Sequence, residues 1–284
     1  MIAELQTSDF SEVSICRSPI FVIGSPRSGT TVLALSLAQH SRLWYSSESH
    51  LFPLLFGGNE LQEVYTSELA RRRWVWQEAV SKEEFLESIG LGLNALFTSR
   101  SGGKRWIEKT PQNTPLVSLL ADMFPHAFFL HILRDGRAVV NSMIHMNAPA
   151  LWTKSFKIAC WAWRDYVKSA LEFEARHPER CRTVRLEALT EDPRATFAEV
   201  FRFVRVPDES EPANYFRSHR LNSSFAAGPG TPPEVWDQWT GEQKAIFLAE
   251  AGGILSEFHL VGEDEMGQMQ RGARANRAVS SMRE

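Results

Sequence analysis

The sequence lacks the features that would place it in several large classes. It has only three cysteines, Cys16, Cys160 and Cys181. They are far apart, odd in number and without metal-ligand spacing, which argues against a disulfide framework and points to a reducing compartment. Positive charge is not in excess: the formal net charge is −3, so no global field draws the chain to nucleic acid and any anion site must be built locally. No apolar run approaches the roughly 20 residues of a membrane span. Residues 1–17 include Glu4, Asp9 and Glu12 and have neither a basic start nor an apolar centre. No secretory leader is read there, and a cytoplasmic protein without membrane or nucleic-acid partners is expected. What the chain does have is a 43% hydrophobic share over 284 residues, ample for a sizeable core.

The apolar pattern repeats one plan. Pro19 to Ile23 is a short β-branched run ending at Gly24, and helical spacing follows from Thr31 to Gln39. The same strand–turn–helix order recurs at Trp106–Lys109 with Pro115–Phe124, at Ala127–Leu133 with Ala138–Met146, and at Arg182–Leu186 with Pro193–Val204. Strands alternating with helices predict an α/β fold, a central parallel sheet flanked by helices. Helical insertions are expected at Asn59–Phe97, with a capping box at Ser81-Lys82-Glu83-Glu84, and at Phe156–Arg176. Asn222–Pro233 is rich in Ser, Gly and Pro and is expected to be loop. The chain divides into an N-terminal extension (1–18), one domain (19–261) and a polar, mobile tail (262–284).

Gly24-Ser25-Pro26-Arg27-Ser28-Gly29-Thr30-Thr31 has the glycine spacing of a phosphate-binding loop. Glycines let successive backbone N–H groups point into one concavity at a helix N-terminus, an anion site that needs no side chain. Thr30 stands where a nucleotide-binding loop carries Lys, and Arg27 sits inside the loop instead. No acidic metal ligand is evident after a later strand, so side-chain cations and hydroxyls are expected to carry the charge without a metal. The plain alternative is a Gly-Thr turn with an incidental arginine. Arg134, ending a strand, and Ser142, in the next helix, form a second candidate grip for a phosphate. Its plain alternative is an Arg134–Asp135 ion pair with Ser142 on the helix surface.

These segments together resemble the sulfotransferases that use 3′-phosphoadenosine-5′-phosphosulfate (PAPS). Gly24–Thr31 is similar to their 5′-phosphosulfate loop, and Leu133-Arg134-Asp135-Gly136-Arg137-Ala138…Ser142-Met143-Ile144 to their 3′-phosphate motif. Ser47-Glu48, Glu108-Lys109-Thr110-Pro111, Cys160…Trp163 and Leu186-Glu187…Pro193 extend the likeness, whose wording is nearest the tyrosylprotein branch. The resemblance implies a P-loop-kinase-like three-layer fold. It also implies PAPS as donor, adenosine 3′,5′-bisphosphate as product and no metal requirement.

By that resemblance Pro26, Arg27, Ser28, Gly29, Thr30, Thr31, Arg134 and Ser142 bind the donor. Glu48 is the general base, in an aromatic-rich neighbourhood whose dryness would suit a proton acceptor, and neighbouring His50 is its rival. Lys109, with Arg27, stabilises the transferring group, and Ser223 or Ser224 touches the donor. Ser49, His50 and Thr110 are the expected acceptor contacts. Met146, Leu186 and Gln238 depart from the family pattern, where Arg, Tyr and Lys are usual.

Peptidyl tyrosine is the leading acceptor, with Arg71-Arg72-Arg73, Trp74 and Trp76 as a candidate patch for acidic flanks. A small-molecule hydroxyl (sugar, phenol or lipid) is the alternative. A P-loop kinase or NTPase and a non-catalytic nucleotide binder are the competing classes. The expected partner is the acceptor, peptide or small molecule, and a homodimer is left open.

Overall fold

Side chains alternate along a strand, so one buried on both faces must be apolar throughout. Strand β1, Ile20–Ile23, meets that condition, and all four residues are buried. The computed structural model describes residues 14–58, 60–67, 73–146, 150–219 and 232–280. The other strands are β2 (Leu43–Trp44), β3 (Arg105–Glu108), β4 (Phe128–Leu133) and β5 (Cys181–Arg185). All pairings are parallel, in the order β2-β3-β1-β4-β5.

The helices up to β4 are α1 (Thr30–Leu37), α2 (Leu51–Phe56), α3 (Glu60–Thr66), α4 (Trp74–Gln77), α5 (Lys82–Arg100) and α6 (Val117–Met123). After β4 come α7 (Gly136–Ile144), α8 (Phe156–Arg176), α9 (Leu186–Glu191), α10 (Pro193–Val204) and α11 (Glu211–Ser218). The chain closes with α12 (Pro232–Gln238), α13 (Gly241–Glu257) and α14 (Glu263–Ser280).

Each face of β1 has its own core. Ile20 and Val22 join Leu33 and Leu37 of α1 with Phe197 and Phe201 of α10. Phe21 and Ile23 face the other way, with Phe52, Leu86, Leu120 and Phe173. The Phe21 ring lies 5.2–5.7 Å from those of Phe52, Trp106, Phe124 and Phe129, in the tilted, stacked and edge-on arrangements that aromatic quadrupoles favour. A third cluster gathers Val140 of α7, Trp163 of α8, Trp236 of α12, Phe247 of α13 and Met269 of α14. The arrangement is the helix–sheet–helix α/β fold read from the alternation.

Three expectations need adjusting. The two-residue edge strand β2 is too short to show a pattern. The expected helix over Pro115–Phe124 begins as a 3₁₀ turn, Pro111–Leu116, before α6, because prolines at 111 and 115 lack the N–H groups of an α-helical ladder. The segment expected to be a mobile tail forms α14 instead. Met269 and Ala273 are buried and Met266 is partly buried, so a sparse apolar repeat at helical spacing docks an otherwise polar segment. Ser81 caps α5, accepting from the Glu84 N–H at 3.0 Å, but the return bond from the Glu84 side chain that would complete a capping box is not formed. Among the described residues no helix is long and apolar enough to cross a membrane.

Candidate active site

β1 lies between β3 and β4, so the connection from β1 to β2 and the connection from β3 to β4 run in opposite directions along the sheet. A crevice forms at such a reversal, beyond the carboxyl ends of the strands. Gly24, Lys109 and Arg134 each follow directly on one of these three strand ends. That common edge is why residues more than a hundred positions apart can meet.

The loop after β1 is shaped by close approach. At Gly24 (φ +148°) a β-carbon would stand 2.6 Å from the Ile132 carbonyl oxygen of β4, a contact only glycine avoids. The Gly24 N–H donates to Thr114 Oγ1 at 2.8 Å, which ties the loop to the turn after β3. Gly29, also left-handed (φ +97°), caps α1. Arg27 holds φ at +71° without being glycine, and residues so strained cluster at functional sites. The first N–H groups of a helix have no intrahelical partner, so the start of α1 suits an anion. Pro26 and Thr30 are buried in the loop walls and Thr31 is exposed.

Arg27 and the second grip form one cluster. Arg27 Nε donates to Ser142 Oγ at 3.0 Å, and Arg134 Nη1 donates to the Arg27 carbonyl at 3.1 Å. Burial lowers the Arg27 and Arg134 pKa values below the usual guanidinium range. Each guanidinium is thus short of water, the condition under which a bound anion gains most. Ser142 is buried rather than on the helix surface. Asp135 pairs with Arg137 (Oδ2 to Nη2, 2.6 Å) and makes no contact ion pair with Arg134 among the described residues, although its charge and that of Glu187 act on Arg134. The fully buried Ser28 hydroxyl has no hydrogen-bond partner among the described residues. A buried unpaired hydroxyl in the loop, next in sequence to Arg27, fits a phosphate or sulfate oxygen.

A second cluster holds the proton-transfer candidates. Lys109, almost fully buried, donates to Thr31 Oγ1 at 2.9 Å and makes an ion pair with Glu48. Glu48 Oε2 lies 3.3 Å from His50 Nε2, so the two rival bases touch. The dry neighbourhood expected around Glu48 is not found: its side chain is 32% exposed. Its loop ends at His50, whose left-handed φ of +53° caps α2.

The dry carboxyl is Glu108. It accepts from Ser49 Oγ at 2.8 Å, from Thr110 Oγ1 at 2.7 Å and from Asn113 Nδ2. Burial pushes its pKa up, against these hydrogen bonds and the nearby Lys109 charge. Thr110 Oγ1 also meets the His50 N–H at 3.3 Å, so Glu108 holds the Glu48 loop directly at Ser49 and, through Thr110, at His50. In the sequence Glu108 stands out only as part of a motif, and Asn113 and Thr114 do not stand out at all. A glutamate followed by polar residues after a strand carries no signal of burial.

Leu186, one of the departures, packs against Gly29: a β-carbon added there would lie 3.1 Å from Leu186 Cδ1. Ser223 and Ser224 lie outside the described residues, as do Arg71 and Arg72. Trp74 and Trp76 are exposed.

The model of a family described as the Sulfotransferase family matches residues 19–210. Protein-tyrosine sulfotransferase 1 of Danio rerio is 26% identical over 192 residues, 66% of this chain and 53% of that one. The protein-tyrosine sulfotransferase of Drosophila melanogaster is 25% identical over 193 residues, 66% of this chain and 38% of that one. The chain thus spans about half or less of the length of these curated relatives.

Among solved structures, the sulfotransferase domain from the Synechococcus PCC 7002 olefin synthase matches at a TM-score of 0.51 and 24% identity, covering 74% of this chain and 82% of that one. Mouse sulfotransferase SULT7A1 complexed with PAP matches at 0.51 and 14%, covering 91% and 89%. At those identities the likeness is one of fold.

Proposed function

The chain belongs to the sulfotransferase family, and from that premise we propose that it transfers the sulfuryl group of PAPS to a hydroxyl acceptor. The observation that carries this is the contiguous set Arg27, Ser142 and Arg134, with a Ser28 hydroxyl that has no partner among the described residues, on a loop closed to any residue but glycine at position 24. These residues fit a donor with anionic groups at both ends of its nucleoside. When bound, PAPS supplies a sulfuryl group whose bond to a phosphate oxygen breaks as the acceptor oxygen attacks.

The chain's own residues then divide the work. The loop, Ser28, Arg27, Arg134 and Ser142 hold the anionic groups. Lys109, fixed by Thr31 on the loop's own helix, places an ammonium where negative charge must develop, and preorganised charge of this kind costs no reorganisation during reaction. Glu48, partly exposed and within one ion pair of that ammonium, accepts the acceptor's hydroxyl proton. A second reading has one observation in its favour. With His50 Nε2 at 3.3 Å from Glu48 Oε2 and its ring 49% exposed, His50 takes the proton while Glu48 orients the ring.

Peptidyl tyrosine is the leading acceptor, supported by relatives named protein-tyrosine sulfotransferases. A small-molecule hydroxyl is the alternative. The deciding experiment is mass-detected sulfate transfer from PAPS to tyrosine peptides, phenols, sugars and hydroxylated lipids. Transfer to the peptides alone supports the first, and transfer to none of them from an enzyme that binds donor would refute both. The three cations Lys109, Arg27 and Arg134 carry the charge in this scheme, so transfer should survive EDTA, and a strict metal requirement would count against it.

A further inference from the structure

The residue after Arg134 is a carboxylate, and together with the nearby Glu187 carboxylate its direction sets how much positive charge the turn can offer an anion. Asp135 caps α7. Its Oδ1 accepts from the Arg137 N–H at 2.8 Å and from Arg137 Nε at 3.0 Å, and its Oδ2 accepts from Arg137 Nη2 at 2.6 Å. The Asp135 N–H is in turn held by Glu187 Oε1 at 3.0 Å. Arg137 is buried, and the same Nη2 lies 2.7 Å from Glu265 Oε1 in α14. Its Nη1 lies 4.0 Å from the Sδ of Met269, the buried anchor of that helix. A fork-on-carboxylate pair fixes orientation as well as distance. Both Asp135 oxygens are therefore held on Arg137, while Arg134 reaches the Arg27 carbonyl in the loop.

We infer that α14, which lies beyond the segment matched by the family model, belongs to the donor-binding apparatus. Glu265, acting through Arg137, keeps the Asp135 carboxylate turned away from Arg134 and so leaves the cationic turn open to the donor's phosphate. Glu265 and Arg137 are positioning residues, since neither need touch the donor. The inference rests on the PAPS reading. The competing account is that the Arg137–Glu265 pair only docks a helix, which would alter stability and nothing else.

The test is calorimetric binding of adenosine 3′,5′-bisphosphate, with melting temperature measured in parallel. Glu265→Gln should weaken binding roughly five- to tenfold, while Glu263→Gln, exposed on the same helix, should leave it unchanged. Arg137→Met should weaken it further, and adding Asp135→Asn should restore most of the loss, because Asn still caps a helix but carries no charge. A lower melting temperature for Glu265→Gln with binding within twofold of the parent would overturn the inference. So would a double variant no better than Arg137→Met. If Arg137→Met does not fold, the Glu265→Gln and Glu263→Gln pair decides alone. Failure of the parent protein to bind the bisphosphate would refute the donor reading, and this inference with it.

Discussion

Arg27 Nε donates to Ser142 Oγ at 3.0 Å across a separation of 115 residues. That one bond joins the loop after β1 to the helix after β4, and makes a single anion-binding surface of two motifs that look independent along the chain. Arg134 adds to it from a third direction through the Arg27 carbonyl.

Arg27→Ala removes a charge from this surface and leaves Ser142 without its donor. Turnover should fall about 10²–10³-fold, the usual cost of deleting one preorganised stabilising group. Ser142→Ala should act mainly on donor KM. Steady-state kinetics with donor varied separates the two, and near-parental turnover for Arg27→Ala would remove it from the assigned role.

Glu48 and His50 are in contact, so only paired variants can apportion the proton transfer. Glu48→Gln should retain bisphosphate binding and lose about 10²–10⁴-fold in kcat, the range of a general base. His50→Ala should cost less than tenfold. The reverse ranking would assign the proton to His50 and leave Glu48 as the group that orients it.

Glu108→Gln tests a carboxyl that organises without facing the crevice. The Glu48 loop loses an ionised acceptor for Ser49 and Thr110, so kcat should fall while bisphosphate affinity holds. The variant also carries a pH signature. Burial raises the Glu108 pKa above its unfolded value, so its folded state favours the proton and loses stability as pH rises through the folded value. The Gln variant has no such loss. Its urea midpoint should therefore gain on the parent's with rising pH, and a constant difference would contradict the burial argument.

His131 gives the opposite slope. It is fully buried on β4, with Nδ1 at 2.9 Å from Thr183 Oγ1, and burial lowers its pKa from 6.5 to about 3. Between those values the unfolded chain takes up a proton that the folded chain refuses, so stability falls as pH drops below about 6.5. The loss should be about 1.4 kcal/mol per pH unit. His131→Asn should abolish this component, read from urea midpoints at pH 7 and pH 5. An unchanged pH difference would show that His131 is not the group responsible.

The local elements were legible in the sequence because their signals are local. Ile20–Ile23 is apolar throughout because both faces of its strand are covered, α8 spans the expected Phe156–Arg176, and α10 spans Pro193–Val204 behind an Asp192 cap. The glycines of the loop announced a backbone forced close to something, since no other residue tolerates that geometry. What no local pattern could supply is the strand order, and with it the distances between turns at the sheet's carboxyl edge.

Because β1 sits between β3 and β4, Arg27 reaches Ser142, Lys109 reaches Thr31, and Glu108 closes on Ser49. The same limit concealed α14, whose few apolar residues become informative only once Met269 has a cluster to enter. Periodicity is dictated by backbone geometry within a few residues. Burial, charge pairing and the exposure of Glu48 are decided by neighbours that only the folded chain brings together.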